Sequence, residues 1–326
     1  MVPRLPTRKI GSTDVTAIGY GAMGIAAFYG TPLPDEERFK ILDADTADVY
    51  NDSEELIGNW FKRTGKRDEI FLATKFGLNP PSGKPVDGSP EYVKQSFAKS
   101  LKRWCTEKID LYYLHRPDPT VPIELIVGAM AELVKEGKLK YIGPFEVSAS
   151  HAIHPISAIE VEYSPFTLDI ETKETAVLQT ARELGVAVVA YSPLGRGLLT
   201  GQYKGPEDFA EDDFRRTIPR YSKENFPNIL KLADDLKHVG EAHGATAGQV
   251  ALAWLLAQGP EVIPIPGTRN VKYLKENLGA LNVKLTDAEL QEVRAIAERT
   301  DAVQGNRYPP GLVDMLFADT RPLSGK

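Results

Sequence analysis

Asp45-Thr46-Ala47-Asp48-Val49-Tyr50 puts a carboxylate five residues ahead of a phenol, in a segment too polar and too short for a core strand. Two further stretches share its design, a short apolar run that closes on one ionisable side chain. They are Ile70-Phe71-Leu72-Ala73-Thr74-Lys75 and Ile109-Asp110-Leu111-Tyr112-Tyr113-Leu114-His115. As neighbouring parallel strands, these runs would bring Asp45, Tyr50, Lys75 and His115 to one mouth. Unlike ionisable groups at strand ends are what the C-terminal face of a parallel β/α barrel carries.

Outward from these runs, a hairpin and first strand are expected over residues 7–24, ending in Gly19-Tyr20-Gly21-Ala22-Met23-Gly24. Those six residues spell G-x-G-x-x-G, but a dinucleotide fingerprint must open a helix at its last glycine. Here Pro32 and Pro34 follow and helical patterning starts near Asp35, so a Rossmann fold is rejected. The glycines instead let the backbone pass close to another segment at a strand end. A helix over 34–44 precedes the Asp45–Tyr50 stretch. The next helix, 53–64, has Ser53 as its cap and Glu54 and Glu55 in its first turn. Strand 70–75, a Pro/Gly-rich loop at 79–88 and a helix opened by Ser89-Pro90 follow. Then come strand 109–114, helix 122–136 ended by Gly137, strands 139–147 and 157–162, helix 171–184 and strand 186–191. A loop at 193–220 leads to helices near 223–243 and 246–258, the second with the capping box Thr246-x-x-Gln249. Strand 261–265, a helix near 271–280 and a last helix opened by Thr286-x-x-Glu289 precede a proline-containing tail, 300–326.

Strands alternating with helices mean parallel β/α units, and strands apolar throughout mean a sheet covered on both faces. The fold class expected is α/β, a (β/α)8 TIM barrel. Residues 1–326 are expected to form a single barrel domain, since no composition shift marks a second. Two units read as abbreviated. Helix 34–44 runs into Asp45 with no apolar run for a second strand, and about nine residues between the fifth and sixth strands leave too little for a fifth helix. A shortened version of a longer barrel is the expectation, because an empty strand slot would expose two edges.

The totals narrow the function classes. A net charge of −6 argues against nucleic acid and anionic membrane as partners, so an anionic ligand needs a local cluster of donors. No apolar run is long enough to span a membrane, and Met1-Val2-Pro3-Arg4-Leu5-Pro6 lacks the apolar core of a secretory signal. The single cysteine, Cys105, sits in a basic amphipathic stretch and reads as a packing residue. The expected location is cytoplasmic.

A tyrosine phenol, with a reference pKa near 10, is too weak an acid to be poised at neutral pH. An ammonium about 4 Å away at an effective dielectric near 20 offers on the order of 4 kcal/mol towards its ionisation. Beside Lys75, Tyr50 becomes a usable general acid for a carbonyl oxygen. Asp45 would hold Lys75 charged, and His115 would bond the same oxygen and orient the substrate. Protonating a carbonyl oxygen accomplishes a reduction only with a hydride source, which implies a nicotinamide cofactor. Singly, each of these residues has a plainer reading: a solvated lysine, a structural histidine, aspartates in turns, a surface tyrosine. Jointly they favour an enzyme.

With these residues in place, the chain resembles the aldo-keto reductases, in particular the plant and fungal branch that includes perakine reductase and pyridoxal-reductase-like enzymes. The matching stretches include Asp45–Tyr50, Ala73-Thr74-Lys75-Phe76-Gly77, Leu114-His115-Arg116-Pro117, Val161-Glu162-Tyr163-Ser164-Pro165, Ala190-Tyr191-Ser192-Pro193-Leu194-Gly195 and Ile263-Pro264-Ile265-Pro266-Gly267-Thr268. The resemblance implies NADPH as cofactor, an aldehyde or ketone as substrate, Tyr50 as acid, and no metal. It implies Tyr191 stacked on the nicotinamide and Ser192, Leu194 and Arg196 along the pyrophosphate. Gly267, Thr268, Arg269, Glu276 and Asn277 would hold the adenosine end, with Arg269 and Lys272 suited to a 2′-phosphate.

Departures from the family are equally specific. The apolar strand before Asp45 is absent, and Gly143-Pro144-Phe145-Glu146 stands where Gly-Leu-Ser-Glu is usual. Glu160 replaces the usual glutamine before Val-Glu-Tyr. These changes keep open a cofactor-binding regulatory or inactive barrel with little turnover, as in the potassium-channel β-subunits. A metal-dependent barrel hydrolase fits poorly, with five histidines and none paired near Asp45. Phe28, Tyr29, Tyr203, Phe209, Phe214 and Tyr221, in the loops around the mouth, point to an apolar or aromatic carbonyl compound.

Overall fold

The computed structural model describes residues 5–29, 31–41, 50–78, 81–144, 154–299 and 304–323. Its elements alternate as the sequence pattern requires. Strands β1 (Thr7–Ile10) and β2 (Thr13–Thr16) form an antiparallel hairpin. Short helices α1 (Met23–Ala26) and α2 (Asp35–Phe39) lead to α3 (Ser53–Thr64). Then β3 (Ala73–Phe76), α4 (Pro90–Trp104), β4 (Ile109–Leu114), α5 (Ile123–Lys135) and β5 (Leu139–Pro144) follow. Beyond them come β6 (Ala158–Glu162), α6 (Val177–Leu184), β7 (Ala187–Tyr191), α7 (Phe226–Glu241), α8 (Ala247–Ala257), β8 (Val262–Pro264), α9 (Val271–Gly279) and α10 (Asp287–Glu298).

β3, β4 and β5 pair in parallel, as do β6, β7 and β8. The two sheets meet where Ser157 N donates to Ile142 O at 3.0 Å. At the other end, Gly19 N donates to Pro264 O (3.0 Å) and Gly21 N to Pro266 O (3.4 Å), so the segment after the hairpin runs beside β8. The remaining seam, between that segment and β3, involves residues 42–49. Those residues, the expected second-strand gap and Asp45 lie outside the described residues, as do 145–153, where the fifth helix was expected to be short.

Period-two alternation along the strands sorts the core into two layers. Ala73, Leu111, Tyr113, Ala158, Ala187, Val189, Ile263 and Ile265 form one buried cluster within the strands. Tyr112, Leu114, Val161 and Val188 face the opposite way, into a larger cluster with the helices that contains Trp104 and Trp254. Gly58 on α3 is required there, since a Cβ would lie 2.1 Å from Arg103 O at the end of α4.

Several local expectations are met. Ser89 caps α4 with Pro90 in its first turn, both capping boxes form, and Gly137 ends α5 in the left-handed region. Ser53 is not a cap: Asp52 occupies the cap position of α3 without capping it, because both its oxygens bond the Arg38 guanidinium at 2.8 and 2.7 Å. The helix expected over 34–44 is α2, which ends at Phe39. α6 begins at Val177 rather than 171, after a 3-10 turn at Asp169–Glu171.

Candidate active site

The interior layer dictates which side chains reach the mouth. Lys75 follows Ala73 by two residues, His115 follows Tyr113, Glu160 follows Ala158, and Tyr191 follows Val189. Each therefore points into the strand array one step above a buried apolar residue. Lys75, His115 and Glu160 border one cleft of 630 Å³, joined there by Tyr50 and Tyr191.

Around its floor the contacts are close. The Tyr50 and His115 rings meet edge to face, centroids 5.9 Å apart at 89°. Lys75 Nζ stands 5.4 Å from the Tyr50 ring centroid and 3.1 Å from Glu160 Oε1, with both charged side chains buried. Burial, then the nearby charges of Lys75 and Arg116, hold the His115 imidazole well below its usual pKa, so it is neutral. Three of the four residues expected to meet are thus together. Asp45 lies outside the described residues. The carboxylate found on Lys75 is Glu160, a partner that sequence reasoning missed. Its signal was available: Ala-Ile-Glu-Val-Glu is an apolar strand with two carboxylates spaced to share a face.

A second polar centre stands beside the first. Glu162 is fully buried and faces Arg307 at 3.3 Å and Arg196 at 3.6 Å. Burial alone would raise its pKa, but Arg196, Arg307 and Arg220 outweigh that and hold the carboxylate ionised. Arg307 also donates to the Tyr191 hydroxyl at 3.2 Å, and Arg196 donates to Arg307 O at 3.2 Å. The Arg196 guanidinium lies over the Tyr308 ring at 4.7 Å. The segment 304–308 is thus bolted over the mouth by an ion-pair cluster that sequence reasoning read only as a loop.

The remaining expected residues line the same cleft. Ser192, Gly195, Arg196 and Gly197 all have positive φ, which turns the chain so that Ser192, Leu194 and Arg196 border the cleft together. The Arg196 guanidinium is nonetheless directed inward to Glu162. Gly267 crosses Gly21 so closely that a Cβ on it would come 2.6 Å from Gly21 O, in accord with the close-approach reading of the 19–24 glycines. Thr268, exposed Arg269, Glu276 and buried Asn277 stand near the start and along one side of α9. Arg269 makes a long bond to Thr31 O at 3.4 Å, and Thr246 Oγ1 donates to Glu276 at 2.8 Å. Exposed Lys272 lies over Tyr273. The donor set suits a nicotinamide dinucleotide, with an aromatic face at one end and a guanidinium, hydroxyl and amide at the other. Phe28 and Phe214 add apolar walls, each edge-on to its neighbour, Phe28 against both Tyr50 and Phe214.

Residues 17–298 match the family model for the aldo/keto reductase family. The chain belongs to the aldo/keto reductase family. The aldo-keto reductase str7 of Strobilurus tenacellus is 58% identical over 322 residues, covering 93% of this chain and 95% of that protein. The aldo-keto reductase yakc [NADP(+)] of Schizosaccharomyces pombe is 47% identical over 337 residues, covering 98% of this chain and 99% of that protein. An alignment of 337 positions against a chain of 326 means that the fission-yeast reductase has residues for which this chain has none, in line with an abbreviated barrel. Among solved structures, the glycerol dehydrogenase of Gluconobacter oxydans superposes with a TM-score of 0.80 at 27% identity, covering 91% of this chain and 96% of that one. The thermostable aldo-keto reductase Tm1743, solved with the inhibitor epalrestat, gives 0.72 at 29% identity, covering 90% and 100%. Members of this family are (β/α)8 barrels and generally NADP-dependent carbonyl reductases, and this chain is an oxidoreductase of that type. Among the described residues no helix is long and apolar enough to cross a membrane.

Proposed function

We propose that this aldo/keto reductase reduces an apolar or aromatic aldehyde or ketone to the alcohol with NADPH, using Tyr50 as the general acid. The observation that carries the reading is the meeting of Tyr50, Lys75 and neutral His115 at one end of a cleft whose other end holds Arg269. Residues 1–326 would act as one barrel unit, in the cytoplasm, within the perakine-reductase and pyridoxal-reductase-like branch whose motifs the chain carries.

Bound along the cleft, the reduced cofactor supplies a hydride to the carbonyl carbon. Tyr50 gives its phenolic proton to the carbonyl oxygen as negative charge develops there, and recovers one from solvent. The Lys75 ammonium stabilises the resulting phenolate, an interaction strengthened by burial. His115, uncharged, offers a hydrogen bond that orients the oxygen without competing as an acid. Asp45 would support Lys75. Tyr191 would present its ring to the nicotinamide, fixed through its hydroxyl by Arg307. Ser192, Leu194 and Arg196 would follow the pyrophosphate, and Gly267, Thr268, Arg269, Glu276 and Asn277 the adenosine end. Phe28 and Phe214 would exclude water from the carbonyl and favour flat apolar substrates.

A panel of aromatic, aliphatic and pyridoxal-type aldehydes, assayed with NADPH at 340 nm beside NADPH binding by fluorescence, tests the reading. Aldehyde-dependent oxidation of NADPH supports it. NADPH binding with no turnover on any of them would replace it with a regulatory role.

A further inference from the structure

β6 carries two buried carboxylates on one face, and their surroundings differ. Glu162 is enclosed by the arginine cluster and does not border the cleft. Glu160 does border it, and its buried side chain faces a single lysine, Lys75, at 3.1 Å. The third ionisable group on this floor, His115, is neutral. The floor thus pairs one ammonium with one carboxylate beside Tyr191, whose half-buried ring borders the same cleft.

The two forms of a nicotinamide differ by one charge at the ring: the oxidised form is a cation, the reduced form neutral. A floor holding Lys75 alone would repel the oxidised ring and leave the reduced ring indifferent. We propose that Glu160 sets the cofactor preference of this site, cancelling the Lys75 charge so that the oxidised, cationic form binds well relative to the reduced one. The inference rests on the functional reading above and adds a residue to it. Its consequence is directional. Hydride transfer from reduced cofactor to the carbonyl carbon, with the Tyr50 proton passing to oxygen, leaves alcohol and a cationic ring. A carboxylate already in place makes that transfer more favourable within the site and slows departure of the oxidised form.

One unit charge several ångströms away, at an effective dielectric near 20, shifts an equilibrium by on the order of tenfold. The test is equilibrium titration of the full chain with NADP+ by calorimetry and with NADPH by fluorescence, for the wild type, Glu160→Gln, Glu160→Asp and Lys75→Met. Glu160→Gln should weaken NADP+ about tenfold more than NADPH, and Glu160→Asp should restore most of the wild-type ratio. Lys75→Met should shift the ratio the other way, towards NADP+, which keeps the test decisive if Glu160→Gln does not fold. Equal weakening of both forms by Glu160→Gln, or a ratio that stays within twofold in every variant, would overturn the inference while leaving the reductase reading intact. A wild-type chain that binds neither form would overturn both.

Discussion

Glu162→Ala removes the one carboxylate on which three buried guanidiniums converge. Arg196 comes from the turn after β7, Arg220 from the long loop before α7, and Arg307 from the tail, so the substitution unties three segments at once. At the observed separations of 3.3 and 3.6 Å, and an effective dielectric near 20, each direct pair has a gross Coulomb energy of about 5 kcal/mol. Much of that only offsets the cost of burying the charges. What remains after truncation is a set of buried cations without their counter-charge, for which about 3–5 kcal/mol is expected. Arg220 is partly provided for by Thr167 Oγ1 and Gly305 O, which favours the lower half of that range. Urea denaturation followed by circular dichroism should show the midpoint falling with the slope unchanged. Trypsin should also cut faster after Arg307, whose side chain is now buried. A stability loss under about 1 kcal/mol, with no change in tail cleavage, would refute the view that this cluster holds the tail over the mouth.

Arg269→Ala should weaken NADPH much more than NADH, by roughly tenfold or more for a lost charge-assisted phosphate contact; equal losses, measured by fluorescence titration, would remove its role at the 2′-phosphate. His115 gives a pH signature. Its folded pKa is depressed, so between that value and the unfolded value near 6.5 the unfolded state binds more protons. Stability is therefore full above about pH 6.5 and falls as the pH drops below it, by up to about 1.4 kcal/mol per unit for this one group. Urea midpoints from pH 7.5 to 5 should fall less steeply for His115→Asn than for the wild type, and parallel slopes would contradict a buried neutral imidazole.

The strand runs were legible because each is a period-two pattern whose last interior position is ionisable. That is why Lys75 and His115 were found from sequence, and why strand 109–114 was placed to the residue. Caps written in local chemistry, Ser89-Pro90 and the two capping boxes, were equally legible. Ser53 was misread because the cap at Asp52 is decided by Arg38, fourteen positions away and invisible to a local pattern. The Lys75–Glu160 and Glu162–Arg307 pairs were beyond reach for a similar reason. Charge complementarity across 85 and 145 positions has no periodicity, and only the fold brings the partners together. Glu160 showed itself merely as a departure from the family's glutamine; the lysine it faces gives that departure a physical meaning.

Tyr50→Phe is the most direct measurement. It deletes one hydroxyl and keeps the ring that packs edge-on against His115 and Phe28. If the phenol is the acid, aldehyde reduction should fall by at least about a hundredfold while NADPH binds within about twofold of the wild type. Turnover that survives the substitution, with binding unchanged, would contradict the assignment of Tyr50.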